Sequence, residues 1–251
     1  SGANDGSATV SLGWDFDDEV IGTSPMTITY QAIVANVTGN QQGDTLTNQA
    51  HLEYTNATDT PVTGPTVTSD VDLVEPTLTI AKDYNSTDAP FDAGDTIIYT
   101  LVVSNTSGTT AYDALVTDTV LGDSPTVDSI GVGTTGALVN AAFSGNDLTA
   151  TIDQLDDGET ISIMVSITIP LTVTPGQTIN NNVDLTWTSL AADDDPNERN
   201  GDDGEDGALD DYASSDTTSF DIDVMSISKS MIATSAVHTA GGKMVAQLWH
   251  V

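Results

Sequence analysis

The sequence predicts an all-β chain of tandem β-sandwich repeats, and three observations predict it. Apolar and polar residues alternate at period two along nearly every ordered run. Gly and Pro interrupt those runs at short intervals, as turns between short strands do. Two stretches of the chain also repeat each other. Composition agrees with all three. The 251 residues include 39 Thr, and the 38 acids divide into 32 Asp and 6 Glu. Asp and Thr are poor helix formers, whereas Thr and Val favour strands.

Taken in order, Leu78, Ile80 and Lys82 alternate onto one face of a first strand. Residues 95–104 place Ile97, Tyr99, Leu101 and Val103 together. Residues 161–169 place Ile161, Ile163, Val165, Ile167 and Ile169 on one face, with Ser162, Met164, Ser166 and Thr168 on the other. Residues 178–188 do the same with Ile179, Asn181, Val183, Leu185 and Trp187. Turns are expected at Gly94, Gly158 and Gly176. No amphipathic helix is found.

The repeat sets the organisation. Residues 27–56 align without a gap on 160–189 at an offset of 133, so that Gly43 meets Gly176, Asn48 meets Asn181 and Tyr54 meets Trp187. Residues 78–82 align on 225–229 at an offset of 147. The difference of 14 measures an insertion in the second copy. Residues 1–74 are therefore expected to be the back half of one repeat, 75–223 a complete repeat with an acidic insertion at 191–212, and 224–251 the opening of a third. Such a chain is either a window on a longer array or a unit that donates its terminal strands to neighbours. Residues 243–251 keep apolar positions but lose the Asp and Tyr of the strand they should match.

The formal net charge is −34, from 38 acids against four Lys and Arg. No basic patch is available to meet nucleic-acid phosphates or an anionic membrane surface. No apolar run approaches the roughly 18–20 residues of a membrane span. Zero Cys excludes a disulfide framework and thiol catalysis. The three His are scattered and make no triad, no Gly-x-Ser-x-Gly is present, and Gly131-Val-Gly133 lacks the rest of a phosphate loop. No enzymatic activity is expected.

Residues 75–121 read EPTLTIAKDYNSTDAPFDAGDTIIYTLVVSNTSGTTAYDALVTDTVL. This resembles the extracellular repeat family called domain of unknown function eleven. The shared pattern is an opening strand ending in Lys, then Ala-Gly-Asp, a Tyr-Thr strand, Ser-Asn-Thr, Ala-x-Asp and Thr-Asp-Thr. Asp157-Gly158-Glu159 and Gly176 followed by Asn181 continue it. The resemblance implies immunoglobulin-like β-sandwich repeats, strung in tandem on large bacterial or archaeal surface proteins. It implies no catalytic residues.

Two acidic clusters are candidate cation sites. Residues 193–211 hold ten acids in 19 positions, with Gly201, Gly204 and Gly207 among them. Calcium takes six to eight oxygen ligands from such groups, and Gly permits the turns it needs. The expected ligands are Asp195, Glu198, Asp202, Asp203, Asp206 and Asp210, with Arg199 as an internal partner for the carboxylates. The spacing is not that of an EF-hand, and a solvated acidic loop is the competing reading. Asp15, Asp17, Asp18 and Glu19 form the second cluster, expected to be a solvated turn.

Lys82 and Asn181 both fall on apolar faces. An inward Lys on a first strand and an inward Asn on a late one is the arrangement of an intramolecular isopeptide, with Asp118 or Asp95 as proton shuttle. With 38 acids available, a Lys that reaches solvent or pairs with an acid is the reading taken, and Lys82 is expected not to be cross-linked.

The expected function is a structural stalk or spacer of a long secreted cell-surface protein or adhesin, with calcium rigidifying the connector. Its partners would be neighbouring repeats of the same polypeptide. A self-assembling extracellular filament joined by strand exchange, and a calcium-dependent glycan-binding module, are the alternatives.

Overall fold

Fifteen strands and one short 3-10 turn, Ser86–Asp88, make up the regular structure of the described residues. The computed structural model describes residues 12–15, 27–37, 39–132, 139–191, 198–200, 212–224, 237–238 and 244–245. Four strands come first: β1 (Thr45–Ala50), β2 (Glu53–Thr55), β3 (Pro61–Thr63) and β4 (Val67–Asp72). Nine more make the next group: β5 (Leu78–Tyr84), β6 (Thr96–Asn105), β7 (Ala111–Thr119), β8 (Asp123–Val132), β9 (Val139–Ser144), β10 (Asp147–Leu155), β11 (Thr160–Thr168), β12 (Thr178–Thr188) and β13 (Ala213–Asp221). β14 (Val237–His238) and β15 (Met244–Val245) form a short pair near the end.

The nine form two facing antiparallel sheets. One has the order β5-β6-β11-β8 and the other β13-β12-β7-β10-β9. The first is the A-B-E-D arrangement of an immunoglobulin-like sandwich. β7, β12 and β13 are the C, F and G strands, and the β9–β10 hairpin extends the C edge. The alternation of the sequence is the reason. In β11, Ile161, Ile163, Val165 and Ile167 are buried, and in β6 so are Ile97, Tyr99, Leu101 and Val103. The two sets meet in register, Ile163 opposite Leu101 and Val165 opposite Tyr99. The turn glycines at 94, 158 and 176 have φ of 90°, 80° and 76°, which a side chain disfavours.

The chain comes into the sandwich at one end and leaves at the other. β5 and β13 are edge strands of opposite sheets that lie side by side and run the same way. The Ile80 amide donates to Ser214 Oγ at 3.4 Å, and two residues on the Lys82 amide donates to Asp216 Oδ2 at 2.7 Å. A parallel bridge joins Phe91 to Ile222, and the Asp223 amide donates to the Phe91 carbonyl. At the incoming end, Trp187 Nε1 donates to the Pro76 carbonyl at 3.0 Å and its ring meets Tyr212 edge-on. At the outgoing end, Tyr84, Phe91 and Phe220 pack ring against ring.

β1 pairs β4 as β12 pairs β13. The Gly43 amide donates to the Leu73 carbonyl and the Leu73 amide to that of Asp44. Gly176, Ile222 and Gln177 make the same two bonds. Register measures the insertion differently from the sequence alignment. Leu46 precedes its partner Val71 by 25 residues, while Ile179 precedes Phe220 by 41, an excess of 16 rather than 14. The two-residue difference falls after β4, where the join to the next strand is longer. Residues 27–37 carry no strand, although their sequence matches β11. β11 is held by β6 and β8, which precede it in the chain. Of the residues before 27, only 12–15 are described.

Candidate functional site

A cluster of polar side chains sits within the core. Lys82 on β5 points inward, as its alternation with Leu78 and Ile80 requires, and its side chain is fully enclosed. Its ammonium contacts Asp118 Oδ2 on β7, and that carboxylate is fully enclosed as well. Asp118 is the inward residue between Val116 and Val120. Across the sheet it faces Val183 of β12. Asn181, two residues from Val183 on the same face, is therefore its diagonal neighbour and is 2 % exposed. Tyr99 of β6 completes the group, its ring centroid 4.9 Å from Lys82 Nζ.

Four buried side-chain atoms among the described residues have no hydrogen-bond partner: Tyr99 Oη, Asp118 Oδ1, and both Asn181 Nδ2 and Oδ1. All four belong to this one cluster. Leaving such groups unmade costs about 1–3 kcal/mol each. Asn105, also buried, shows what a structural core Asn does. Its Nδ2 donates to the carbonyls of Thr109 and Leu155, and its Oδ1 accepts from the Ser107 amide and hydroxyl. Asn181 makes no hydrogen bond of good geometry, although it stands close enough to Asp118 and Tyr99 to pull the pKa of both downward.

Burial sets the protonation of the cluster. Desolvation lowers the Lys82 ammonium from its ordinary value, and the Asp118 carboxylate opposes this without overcoming it. Desolvation raises Asp118, with Lys82 and then Asn181 opposing. The Tyr99 phenol is pushed up to about 12, mainly by burial. Both shifts of the Lys–Asp pair favour its neutral form, an amine beside a carboxylic acid.

The expectation that Lys82 pairs with an acid is met at Asp118. Asp95 takes no part: it is exposed and accepts the Asp92 amide in the turn before β6. Alternation placed Tyr99 in the core but gave it no role in the cluster. Asp216, which touches the Lys82 backbone, had no signal, because one Asp among 32 does not stand out.

Of the six expected calcium ligands, Asp195, Asp202, Asp203, Asp206 and Asp210 lie outside the described residues. Glu198 is half-buried, and its carbonyl accepts from Asn36 Nδ2 at 3.3 Å. No group of three or more His, Asp or Glu able to hold a metal occurs among the described residues. In the second cluster Asp15 is exposed, and Asp17, Asp18 and Glu19 lie outside the described residues.

The described partners of Arg199 lie outside the acidic insertion, most of whose carboxylates fall outside the described residues. Its guanidinium contacts Glu75, donates to Asn36 Oδ1 at 3.0 Å and donates to the Asn40 carbonyl at 2.7 Å. Glu75 also accepts from Tyr212 Oη at 3.0 Å. These contacts tie both sides of the connector to the join before β5. The signal for Glu75 was its isolation, since it is the only Glu between Glu53 and Glu159.

No family model matches this chain, and no curated protein does. Solved structures of similar shape exist at low identity. The major pilin subunit BcpA of Bacillus cereus is 16% identical with a TM-score of 0.37, covering 69% of this chain and 47% of the pilin. The Actinomyces fimbrial adhesin FimA is 13% identical with a TM-score of 0.39, covering 56% of each chain. AvmM, which catalyses macrocyclization in alchivemycin A biosynthesis, is 13% identical with a TM-score of 0.30, covering 59% of this chain and 91% of that protein. The chain thus spans about half the length of the pilin and of the adhesin.

Proposed function

We propose that this chain is a non-catalytic structural module of a secreted cell-surface protein, a spacer that keeps the segments on its two sides apart. The observation that carries this reading is the path of the chain, in along β5 and out along the parallel edge strand β13. Modules threaded this way join end to end, and nearest-neighbour packing sets the stiffness of the array. The Glu75–Arg199–Tyr212 contacts supply such packing at the incoming end. A surface of net charge −34 opposes collapse of the array on itself. Calcium at the acidic insertion, with Asp195, Glu198, Asp202, Asp203, Asp206 and Asp210 as ligands, is part of the proposal and would stiffen the connector.

The path can be measured directly, because a chain without Cys accepts spin labels at chosen sites. Thr77→Cys and Val224→Cys are exposed positions at the two ends of the module. Thr77 lies three residues before Ile80, which sits beside Ser214, and Val224 lies ten residues beyond Ser214, so the labels should stand about 40 Å apart at roughly 3.3 Å per residue. A distance below about 20 Å would show both ends on one side and defeat the spacer reading. Size-exclusion at several protein concentrations separates a spacer, which elutes independently of concentration, from a strand-exchanging filament subunit.

A further inference from the structure

We infer that Lys82 and Asn181 join in a covalent bond: an autocatalytic amide between Lys82 Nζ and Asn181 Cγ, formed once per molecule with Asp118 as proton shuttle. This reverses the expectation from sequence that Lys82 is not cross-linked. Three features of the geometry point to it. A nucleophile, an acid and a carboxamide meet in one water-excluded position, each enclosed. The carboxamide lies within reach of Asp118 and Tyr99 but makes no well-formed hydrogen bond, whereas the other buried Asn among the described residues is fully engaged. The acid keeps one oxygen on the amine and has its other oxygen without a partner, beside the same carboxamide.

The chemistry closes without a cofactor or an oxidant. Lys82 passes a proton to Asp118, leaving a neutral amine and a carboxylic acid, the state that burial favours. The amine lone pair attacks Asn181 Cγ, while the acid places its proton on the carboxamide oxygen. The Cγ–Nδ2 bond then breaks, with one proton of the attacking nitrogen carried by Asp118 to the leaving amine, and the oxygen's proton returns to Asp118 as the carbonyl re-forms. Ammonia departs and a secondary amide remains. One C–N bond replaces another, and nothing is oxidised or reduced. The product has one N–H beside Asp118 and one carbonyl beside the Tyr99 hydroxyl, so the orphaned atoms acquire partners. Fixed geometry and exclusion of water supply the rate that a free amine and amide lack.

The bond ties β5 of one sheet to β12 of the other. Pulling the chain at its ends loads β5 and β13, so the cross-link would hold the incoming strand to the partner of the outgoing one. This goes beyond the spacer reading and does not depend on it.

Mass spectrometry of the full chain decides the matter. The intact mass should fall about 17 Da below that of the sequence, the mass of one ammonia. Lys and Arg number four, at 82, 199, 229 and 243. Trypsin on the denatured protein should therefore refuse Lys82 and leave residues 1–199 as one product, with fragmentation linking Lys82 to Asn181. Lys82→Met, Asn181→Ala and Asp118→Ala should each restore the full mass. Full mass in the unsubstituted protein, or ready cleavage after Lys82, overturns the inference whether or not a variant folds. Asn200-Gly201 can also lose ammonia by closing a succinimide. That product leaves Lys82 open to trypsin and is hydrolysed in mild base to Asp and isoaspartate, so a deficit with those properties overturns the inference as well.

Discussion

Asn181→Ala is the substitution whose effect on stability has a different sign with and without the cross-link. In a core that is not cross-linked, the change removes two buried polar atoms without partners. Deleting them recovers about 1–3 kcal/mol of desolvation cost for each atom and loses at most a comparable amount of packing, so stability should hold or rise. In a cross-linked core the same change opens a covalent loop running from residue 82 to residue 181. In the chain-entropy model a loop of about 100 residues is worth about 4.7 kcal/mol, and any covalent link between the same positions obeys that arithmetic. For a domain of this size each kcal/mol moves the melting temperature by about 2–4 °C, so the variant should melt roughly 10–20 °C lower. Differential scanning calorimetry of the two proteins at neutral pH is the assay, with circular dichroism to confirm that the variant is folded. A folded Asn181→Ala protein that melts within about 2 °C of the parent, or above it, refutes the reasoning.

Three further outcomes rest on the same structure. Tyr99 has a folded-state pKa of about 12 against an ordinary 10.0. The folded phenol therefore keeps its proton where the unfolded one loses it, and its contribution is complete below pH 10 and declines as pH rises from about 10 to 12. At most about 2.7 kcal/mol is at stake, and Tyr99→Phe should flatten that part of an alkaline unfolding profile; an unchanged slope contradicts the burial argument. Gly122→Ala should destabilise the sandwich by about 1–3 kcal/mol in urea. A Cβ there would stand 2.6 Å from Ile167 Cδ1 and 2.7 Å from Ile167 Cβ, so Ile167→Val, which shortens only the side-chain tip, should not rescue it. Calcium at a hundredfold excess over its Kd should add about 2.7 kcal/mol and several degrees of melting temperature, and magnesium much less. Joint replacement of Asp202, Asp203 and Asp206 by Asn should abolish the difference. If sodium chloride at matched ionic strength stabilises as well, the effect is screening of a strongly charged chain and the site is absent.

Much of the fold was legible in the sequence because a half-buried strand writes its burial at period two. Ile97 to Val103, Ile161 to Ile169 and Ile179 to Trp187 were placed on core faces by alternation alone, and all are buried. Turn glycines were legible for a similar local reason, since positive φ favours a residue without Cβ. Lys82 and Asn181 were legible as anomalies, polar residues standing where the period demands apolar ones. Their meaning was not. Alternation shows which face a residue takes, and nothing about which strand from the other sheet lies opposite it.

The sequence by itself determined the class of the fold, the run of strands, the inward set of side chains and the presence of two polar intruders among them. Each of these depends on neighbours within a few positions in the chain, and that information is carried locally. Only the tertiary structure decided that Asp118, rather than Asp95, meets Lys82. It also decided that Asn181, among the described residues, is the buried Asn without a well-formed hydrogen bond, and that Arg199 reaches out of the acidic insertion to Glu75 and the Asn36–Asn40 stretch. Those pairings join residues 36 to 163 positions apart. Thirty-two Asp residues compete for three Lys and one Arg. Strand order and register, set by the packing of two whole sheets, select among them.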